Sequence, residues 1–212
     1  MAMRVAALYD VHGNVRALEA VLADAGDADA FVFGGDVFWG PWPRETLELV
    51  QSLGDRAHFV RGNWERYLLE GKDEWTAEHV PADVVREWPT TLTLDEVVYC
   101  HATPVRDDEV VLPQLERSDW SAFTAPLTVC GHTHVQFQVD RIVNPGSVGL
   151  PTVHAAAWWA VVDDGDVELR ATAYDTVAAA DAMRRSGMPE ADELADQLLE
   201  PYTVERLLEI VG

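Results

Sequence analysis

The first sixty residues alternate between short apolar runs and longer stretches with apolar residues at helical spacing. Continuous apolar runs, typical of strands buried on both faces of a parallel sheet, occupy residues 3–9, 30–33 and 57–60. The stretches between them, residues 14–25 and 43–53, predict amphipathic helices that begin with an Asn at the cap and a Pro in the first turn, respectively. This alternation predicts an α/β domain that begins with parallel strands.

The middle of the chain is less regular. Residues 64–89 have an interrupted helical pattern, and short strands are predicted again at 97–100 and 127–130. Between those two strands, residues 103–126 are rich in charged residues and proline. We expect this segment to form loops with one short helix.

The last third of the chain predicts a change in strand arrangement. Three closely spaced apolar runs at residues 136–143, 157–162 and 167–173 are separated by turn residues and predict antiparallel strands. From residue 176 onward the pattern predicts two or three helices. Because no repeat, low-complexity tract or linker interrupts the chain, we expect one domain over residues 1–212 with a helical tail from about 176 to 212.

The net charge of the chain makes some classes of binding partner unfavourable. With 37 acidic and 15 basic residues, the 212-residue chain has a formal net charge of −22, which would repel long nucleic acids and anionic membranes. The apolar run near residue 3 is too short for a signal peptide, and no apolar stretch approaches the ~20 residues of a membrane span. We therefore expect a cytoplasmic protein. Cys100 and Cys130 are too few for a disulfide framework and are expected to be small core residues.

Six polar clusters stand at the ends of predicted strands or in the loops that follow them. Because ligand sites in open α/β sheets form outside the carboxyl ends of the strands, we expect the clusters to converge on one crevice. In two clusters, a pair of candidate ligands is spaced two residues apart, which in extended backbone puts both side chains on the same side. The six clusters are Asp10-Val11-His12-Gly13-Asn14, Gly35-Asp36, Gly62-Asn63-Trp64-Glu65, His101-Ala102-Thr103-Pro104, Gly131-His132-Thr133-His134 and Asn144-Pro145-Gly146-Ser147.

The donor atoms in these clusters are those of a metal site. Two Asp, one Asn and four His offer oxygen and imidazole nitrogen, a set that suits Mn, Fe, Zn or Ni and lacks the thiolates of a structural zinc site. This number of donors exceeds the needs of one tetrahedral ion but matches two adjacent ions, with Asp36 able to bridge them. Two ions some ~3.5–4 Å apart are a common device for in-line displacement at phosphorus.

In this order, the six motifs resemble those of the calcineurin-like metallophosphoesterase superfamily. More closely, the chain is similar to the small bacterial and archaeal phosphodiesterases of that superfamily, and the resemblance covers nearly all of it. The fold implied is an α/β (α+β) sandwich of four layers, in which two mixed β-sheets pack together and are flanked by helices.

The resemblance also implies a role for each motif residue. It implies that Asp36, Asn63 and His101 take part in catalysis and that a hydroxide held between two ions attacks phosphorus in line. Asn14 and Thr103 would lie behind the ligands or beside the substrate, and residues 144–147 would shape the loop beneath the site. One ion is expected on Asp10, His12, Asp36 and His134, and the other on Asp36, Asn63, His101 and His132.

Trp64 departs from the pattern of the superfamily. Many members have a histidine at this position, which contacts a phosphate oxygen or helps the leaving group depart. Tryptophan has one N–H donor and cannot titrate, so it cannot act as a general acid. Glu65 is retained, although its position in the family usually orients the missing histidine.

We therefore expect a phosphodiesterase that uses two divalent ions, Mn²⁺ first and Fe, Zn or Ni as alternatives, on small phosphate esters. Diesters with good leaving groups need little protonation and would tolerate Trp64 best. If the protein is a different kind of enzyme, we expect a phosphomonoesterase or nucleotidase. If it is not an effective enzyme, we expect a metal-binding scaffold with little or no activity.

A few further residues have two interpretations. Arg61 and Arg106 lie near motif loops and could bind phosphate oxygens or pair with surface carboxylates, and His154 could approach the substrate or stay on the surface. The aromatic residues that directly follow Asp36 could stack on an aryl or nucleoside group, pack over the sheet, or form a contact in a homo-oligomer. These aromatic residues are Phe38, Trp39 and Trp42.

Overall fold

Two five-stranded mixed sheets form the centre of the structure, a computed structural model that describes residues 3–116 and 118–211. The strand orders are β10-β9-β1-β2-β3 in the first sheet and β4-β5-β6-β8-β7 in the second. The strands are β1 (Val5–Leu8), β2 (Ala30–Phe33), β3 (Ala57–Phe59), β4 (Thr91–Leu94), β5 (Val97–Cys100), β6 (Leu127–Val129), β7 (Phe137–Val139), β8 (Ile142–Asn144), β9 (Ala157–Asp163) and β10 (Asp166–Thr172).

Within the part of the chain that the structure describes, seven α-helices pack around the sheets. The α1 helix begins after the Asn14 cap, as predicted, because the Asn14 side chain accepts a hydrogen bond from the Ala17 N–H. Two short 3₁₀ turns lie at Gly54–Arg56 and Ala82–Val85. The helices are α1 (Val15–Asp24), α2 (Pro43–Ser52), α3 (Asn63–Leu69), α4 (Glu74–Ala77), α5 (Thr176–Met183), α6 (Ala191–Leu199) and α7 (Val204–Val211). Among the described residues, no helix is long and apolar enough to cross a membrane.

The β1 strand shows why its sequence is apolar at every position. Ala6 and Leu8 pack with the α1 residues on one face of the first sheet, whereas Val5 and Ala7 pack against the second sheet. Both faces are therefore buried, and the expected sandwich of two packed sheets with helices on the outside is confirmed. On the far side of the second sheet, partly buried α7 residues such as Leu207 pack over a third apolar cluster.

The predicted strands and helices are mostly found, with three corrections. The run at 136–143 is not one strand but the hairpin of β7 and β8, because Asp140 turns the chain with a φ of 52°. The β4 strand was not predicted, because it lies at a sheet edge with its residues exposed or half-buried and so lacks an apolar run. The short helix expected within 103–126 is absent from the described residues of that segment. In the tail, three helices form.

Every motif loop follows the carboxyl end of a strand that has a parallel neighbour. The strands β1, β2 and β3 run parallel in the first sheet, and β5, β6 and β8 run parallel in the second. Backbone hydrogen bonds from Val148 N to Tyr9 O and from Gly149 N to Asp10 O join the loop after β8 to the loop after β1. The two sheets therefore bring their loops to one crevice.

Candidate metal centre

The backbone at the crevice is not extended. Asp10 and His12 have φ angles of 53° and 48°, and His132 and His134 have 67° and 58°. The expectation that each pair shares one side of an extended strand is therefore wrong, although both pairs still reach the same cluster. Left-handed conformations cost non-glycine residues about 1–2 kcal/mol each, so the surrounding loops must hold them in place.

Glycines next to the candidate ligands make room for them. At Gly131, a Cβ would lie 2.7 Å from Asp10 Oδ2 and closer still to the Tyr9 ring. At Gly62, a Cβ would collide with Asp36 Oδ1. The carboxylates can approach the backbone of these loops only because both positions lack a side chain.

Three of the predicted ligands form a first group. The Nε2 atoms of His12 and His134 are 3.0 Å apart, and Asp10 Oδ1 lies 3.4 Å from His134 Nε2 and 4.0 Å from His12 Nε2. All three side chains offer a ligand atom within 4.8 Å of the others.

Three further ligands form a second group beside the first. His101 Nε2 lies 3.3 Å from Asp36 Oδ2, and the ring of His132 is edge-on to that of His101 at 5.2 Å. Asn63 joins this group, because its Oδ1 lies 3.1 Å from His101 Nε2. Asp10 Oδ1 also lies 3.9 Å from His101 Nε2, so the two groups are in contact.

Backbone hydrogen bonds orient the ligand atoms. His101 Nδ1–H donates to Gly34 O and His134 Nδ1–H donates to Leu150 O, both at 2.8 Å. Each bond leaves Nε2 directed into the cluster, which is the usual way that proteins fix a metal-binding histidine. One oxygen of each carboxylate is held in the same manner, Asp10 Oδ2 by the His132 N–H and Asp36 Oδ1 by the Trp64 N–H.

The charges of the cluster follow from its burial and its carboxylates. Burial and the neighbouring His134 lower the pKa of His12 to about 4, and burial and His101 lower the pKa of His132 to about 4. Burial acts in the same direction on His101, but the Asp36 carboxylate outweighs it and raises the pKa of His101 to about 10. Burial also acts to lower the pKa of His134, but the Asp10 carboxylate outweighs it and raises that pKa. The two buried carboxylates therefore attract positive charge into the cluster, an environment that favours cations.

The cluster fits divalent metal ions. Among the described residues, Asp10 Oδ1 and His12 Nδ1 are buried without a hydrogen-bond partner, and Asp10 Oδ1 is surrounded by three imidazole Nε2 atoms. An unpartnered buried carboxylate oxygen is costly unless a cation or a donor satisfies it. Nitrogen and oxygen donors in this arrangement suit Mn, Fe or Zn.

The chain matches a known superfamily over most of its length. A family model described as the calcineurin-like phosphoesterase superfamily domain matches residues 3–165. The chain belongs to this superfamily. A metallophosphoesterase from Sphaerobacter thermophilus is 27% identical and superposes with a TM-score of 0.78, over 93% of this chain and 98% of that one. An uncharacterized protein of Methanocaldococcus jannaschii is 25% identical, with 88% of this chain and 94% of that protein covered.

A more distant neighbour shares the fold. The structure described as a novel archaeal phosphodiesterase is 15% identical, with a TM-score of 0.51 over 80% of this chain and 99% of that chain. The helices α5, α6 and α7 lie beyond the residues matched by the superfamily model.

Glu65 supports the phosphoesterase loops rather than a neighbouring histidine. Its carboxylate accepts backbone hydrogen bonds from Asp36, Val37 and Gly62, each at 2.8 Å. Burial raises the pKa of Glu65 to about 7, with the nearby Asp36 carboxylate adding to the effect. The side chain thus joins the loop that carries Asp36 to the start of α3, which carries Asn63.

Two other motif residues are occupied by structural hydrogen bonds. Besides capping α1, the Asn14 side chain donates from Nδ2 to Gly149 O and to the Tyr174 hydroxyl. The Thr103 hydroxyl accepts from the backbone N–H of Arg106 at 3.0 Å and organises the loop after β5. Both side chains are buried, and Thr103 also lines a cavity beside His101.

The aromatic residues after Asp36 separate into different environments. Phe38 is buried in the core against Trp88, and Trp42 packs with α5 and α6. Only Trp39 stays beside the candidate ligands, edge-on to His12 at 5.4 Å. His154 is exposed, and the guanidinium of Arg106 pairs with Asp108.

The sequence did not point to two supporting contacts. Leu150 holds His134 through its carbonyl, which any residue could supply, so no side-chain signal marks it. Ser147 Oγ donates to Asp10 O and so ties the loop after β8 to a candidate ligand. Its place in the Asn-Pro-Gly-Ser cluster was the available signal.

Proposed function

We propose that the protein is a phosphodiesterase that depends on two divalent metal ions. One ion would bind Asp10, His12, Asp36 and His134, and the other Asp36, Asn63, His101 and His132. The observation that carries this proposal is the contact between two ligand groups whose free atoms all point into one buried cluster. When bound, two such ions would supply Lewis-acid activation of water and of the phosphoryl oxygens.

The residues of the chain would act by holding the reacting groups in place. Asp36 would be the ligand that both ions share, as the resemblance to the superfamily implies, and its carboxylate is held by the Trp64 N–H at Oδ1 and lies 3.3 Å from His101 Nε2 at Oδ2. The Asn63 amide lies beside His101, where it would help to stabilise charge that develops on phosphorus oxygens. The histidine Nδ1–H bonds to backbone carbonyls would keep the Nε2 atoms aimed at the reacting centre.

Trp64 supports a diester over a monoester. Its backbone N–H holds Asp36, but its indole cannot donate a proton to a leaving group. An aryl or similarly acidic leaving group departs without such a proton. The alkoxide that leaves an alkyl monoester needs the proton. The loss of a general acid costs about 10²–10⁴-fold, so the proposed catalyst is selective rather than inactive.

The substrate would be a small phosphate ester, and the site of action the cytoplasm. The net charge of −22 opposes long polyanions, which must also contact the surface around the site. Cys100 and Cys130 are free and buried, and burial raises the pKa of the Cys100 thiol to about 12. Two buried cysteines without a disulfide do not require an oxidising compartment.

The proposal is tested by hydrolysis of bis(p-nitrophenyl) phosphate against p-nitrophenyl phosphate. With Mn²⁺, we expect the diester to turn over faster than the monoester, and chelation to abolish both activities. Faster turnover of the monoester would favour the phosphomonoesterase alternative. Protein that holds two ions and hydrolyses neither ester would be a metal-binding scaffold.

A further inference from the structure

A cavity of about 330 Å³ opens beside His101, next to the second ligand group. Its walls come from the segment after β3, from α3 and from the loop after β5, and they include Arg61, Arg66 and Arg106. We call it the arginine cavity. Because His101 is also one of its lining residues, the cavity adjoins the second ligand group.

The charges in the wall do not cancel. Arg66 pairs with Asp107 through two hydrogen bonds of 2.8 and 3.0 Å, and Arg106 pairs with Asp108 at 2.9 Å. These are the carboxylates that line the cavity, against three arginines. Glu70 also approaches Arg66, at 3.8 Å, from outside the lining, so the arginine that is left without a carboxylate is Arg61. On a chain with a net charge of −22, such an arginine beside the candidate metal centre is a local exception.

Arg61 carries the remaining charge. Within residues 3–116 and 118–211 it forms no ion pair, and its Nε atom is buried without a hydrogen-bond partner. Its backbone is fixed, because Arg61 N donates to Pro89 O at 2.8 Å and Asn63 follows two residues later. A half-buried arginine whose backbone is fixed and whose Nε lacks a partner among these residues is suited to an anionic ligand, which its guanidinium can bind through two parallel hydrogen bonds.

We propose that the arginine cavity binds a second anionic group of the substrate. The substrate would then be a phosphodiester with a carboxylate or phosphate on the ester arm that is not released. This inference rests on the proposed function for the position of phosphorus, but not for the binding of the anion. Arg61 would determine specificity through that arm and would not contact the scissile bond.

Three matched diesters test the specificity. Each is a p-nitrophenyl phosphodiester of a three-carbon arm that ends in a carboxylate, a phosphonate or a neutral carboxamide. We expect KM to be about 10- to 100-fold lower for a charged arm than for the carboxamide, since one charge-assisted interaction is gained. The carboxylate and phosphonate arms show which of the two anions the cavity prefers.

Variants of Arg61 test whether this residue causes the difference in KM between charged and neutral arms. In Arg61→Gln the difference between charged and neutral arms should vanish, mainly through KM, and Arg61→Lys should retain part of it. Arg185→Gln removes an exposed arginine elsewhere and should behave as the unmodified protein. Equal KM values for all arms in the unmodified protein, or an unchanged difference in Arg61→Gln, would overturn the proposal.

A binding measurement separates this inference from the proposed function. Calorimetric titration of the metal-free protein with inorganic phosphate should give an affinity that falls at least about 10-fold in Arg61→Gln and not in Arg185→Gln. If no ester is hydrolysed but this difference is found, the proposed function fails and the arginine cavity stands. If diesters are hydrolysed but neither the preference for a charged arm nor the phosphate affinity depends on Arg61, the proposed function stands and the proposal of an anion site in the arginine cavity fails.

Discussion

The indole rings of Trp39 and Trp64 stack face to face, with centroids 4.0 Å apart and planes within 9° of parallel. Trp39 also contacts the His12 ring edge-on, and Trp64 contacts Tyr67 in the same way. The position where the superfamily often has a titratable histidine is therefore filled by a fixed aromatic pair. A proton donor is missing there because the site is built from stacked indoles.

Replacing Trp64 by histidine should raise the turnover of monoesters whose leaving group needs a proton. The imidazole can protonate a leaving alkoxide, so we expect the ratio of kcat/KM for an alkyl monoester to that for an aryl monoester to rise by at least about 10-fold. The measurement compares phosphate release from β-glycerol phosphate and from p-nitrophenyl phosphate under Mn²⁺. Trp64→Phe, which keeps an aromatic ring without a titratable group, is the control, and the same ratio in both variants would refute the general-acid argument.

Replacing Glu65 by glutamine should weaken both the fold and the metal centre. One carboxylate oxygen accepts two N–H groups and the other accepts one, whereas an amide offers only one acceptor oxygen. We expect a loss of about 1–3 kcal/mol in the free energy of unfolding and about 10-fold weaker Mn²⁺ binding. Denaturant unfolding and metal titration measure the two effects.

Glu70→Gln is the matched control for Glu65. Glu70 follows the last residue of α3 and is exposed, and its ion pairs within the described residues are with Lys72 and Arg66 on the surface. Its replacement should therefore change the free energy of unfolding far less than Glu65→Gln and leave Mn²⁺ binding unchanged. Equal effects at the two positions would show that Glu65 does not position Asp36.

The order and content of the motifs were enough to predict which side chains meet. Buried strands that end in polar clusters specify the crevice, because parallel strands place their carboxyl ends together. The continuous apolar run of β1 likewise predicts a strand covered on both sides. Both inferences depend on side-chain type and spacing, which the sequence states directly.

Other features depend on the backbone and were not predictable in the same way. Asp10 and His134 have left-handed conformations, which depend on the loops around them. No pattern in the neighbouring sequence predicts these conformations. The carbonyls of Gly34 and Leu150 orient histidines without any requirement on their own side chains. The β4 strand forms at an edge through backbone pairing with β5 and needs no apolar run.

Asp73 predicts a pH-dependent effect on stability away from the active centre. Its Oδ1 caps α4, whereas Oδ2 is buried without a partner, and burial raises the pKa of this carboxyl. The folded state therefore binds the proton more tightly than the unfolded state, and stability is lost as the pH rises through the raised pKa. Asp73→Asn keeps the cap and removes the charge.

We expect Asp73→Asn to be more stable than the unmodified protein at pH 7, and this advantage to disappear at acid pH below the ordinary pKa of Asp. Denaturant unfolding at several pH values provides the comparison. A stability difference that does not change with pH would contradict the account of Asp73.

Mn²⁺ should stabilise the folded protein through His134 and not through His154. A ligand that binds only the folded state stabilises it by about 2.7 kcal/mol at 100 times its Kd. We expect the rise in Tm on adding Mn²⁺ to be strongly reduced in His134→Ala, whose Nε2 faces the cluster, and unchanged in His154→Ala, whose side chain is exposed. An equal rise in both variants would place the metal elsewhere.

If two divalent ions act together at Asp36, turnover depends on the occupancy of both sites, and a Mn²⁺ titration measures this dependence. Metal-free protein is given increasing amounts of Mn²⁺, and bound ions per chain and turnover of bis(p-nitrophenyl) phosphate are measured on the same samples. We expect turnover to reach its maximum only as the second ion binds, and Asp36→Asn neither to hold two ions nor to reach that maximum. Full turnover with one ion per chain, or two bound ions without turnover, would show that the two ions do not act together at Asp36.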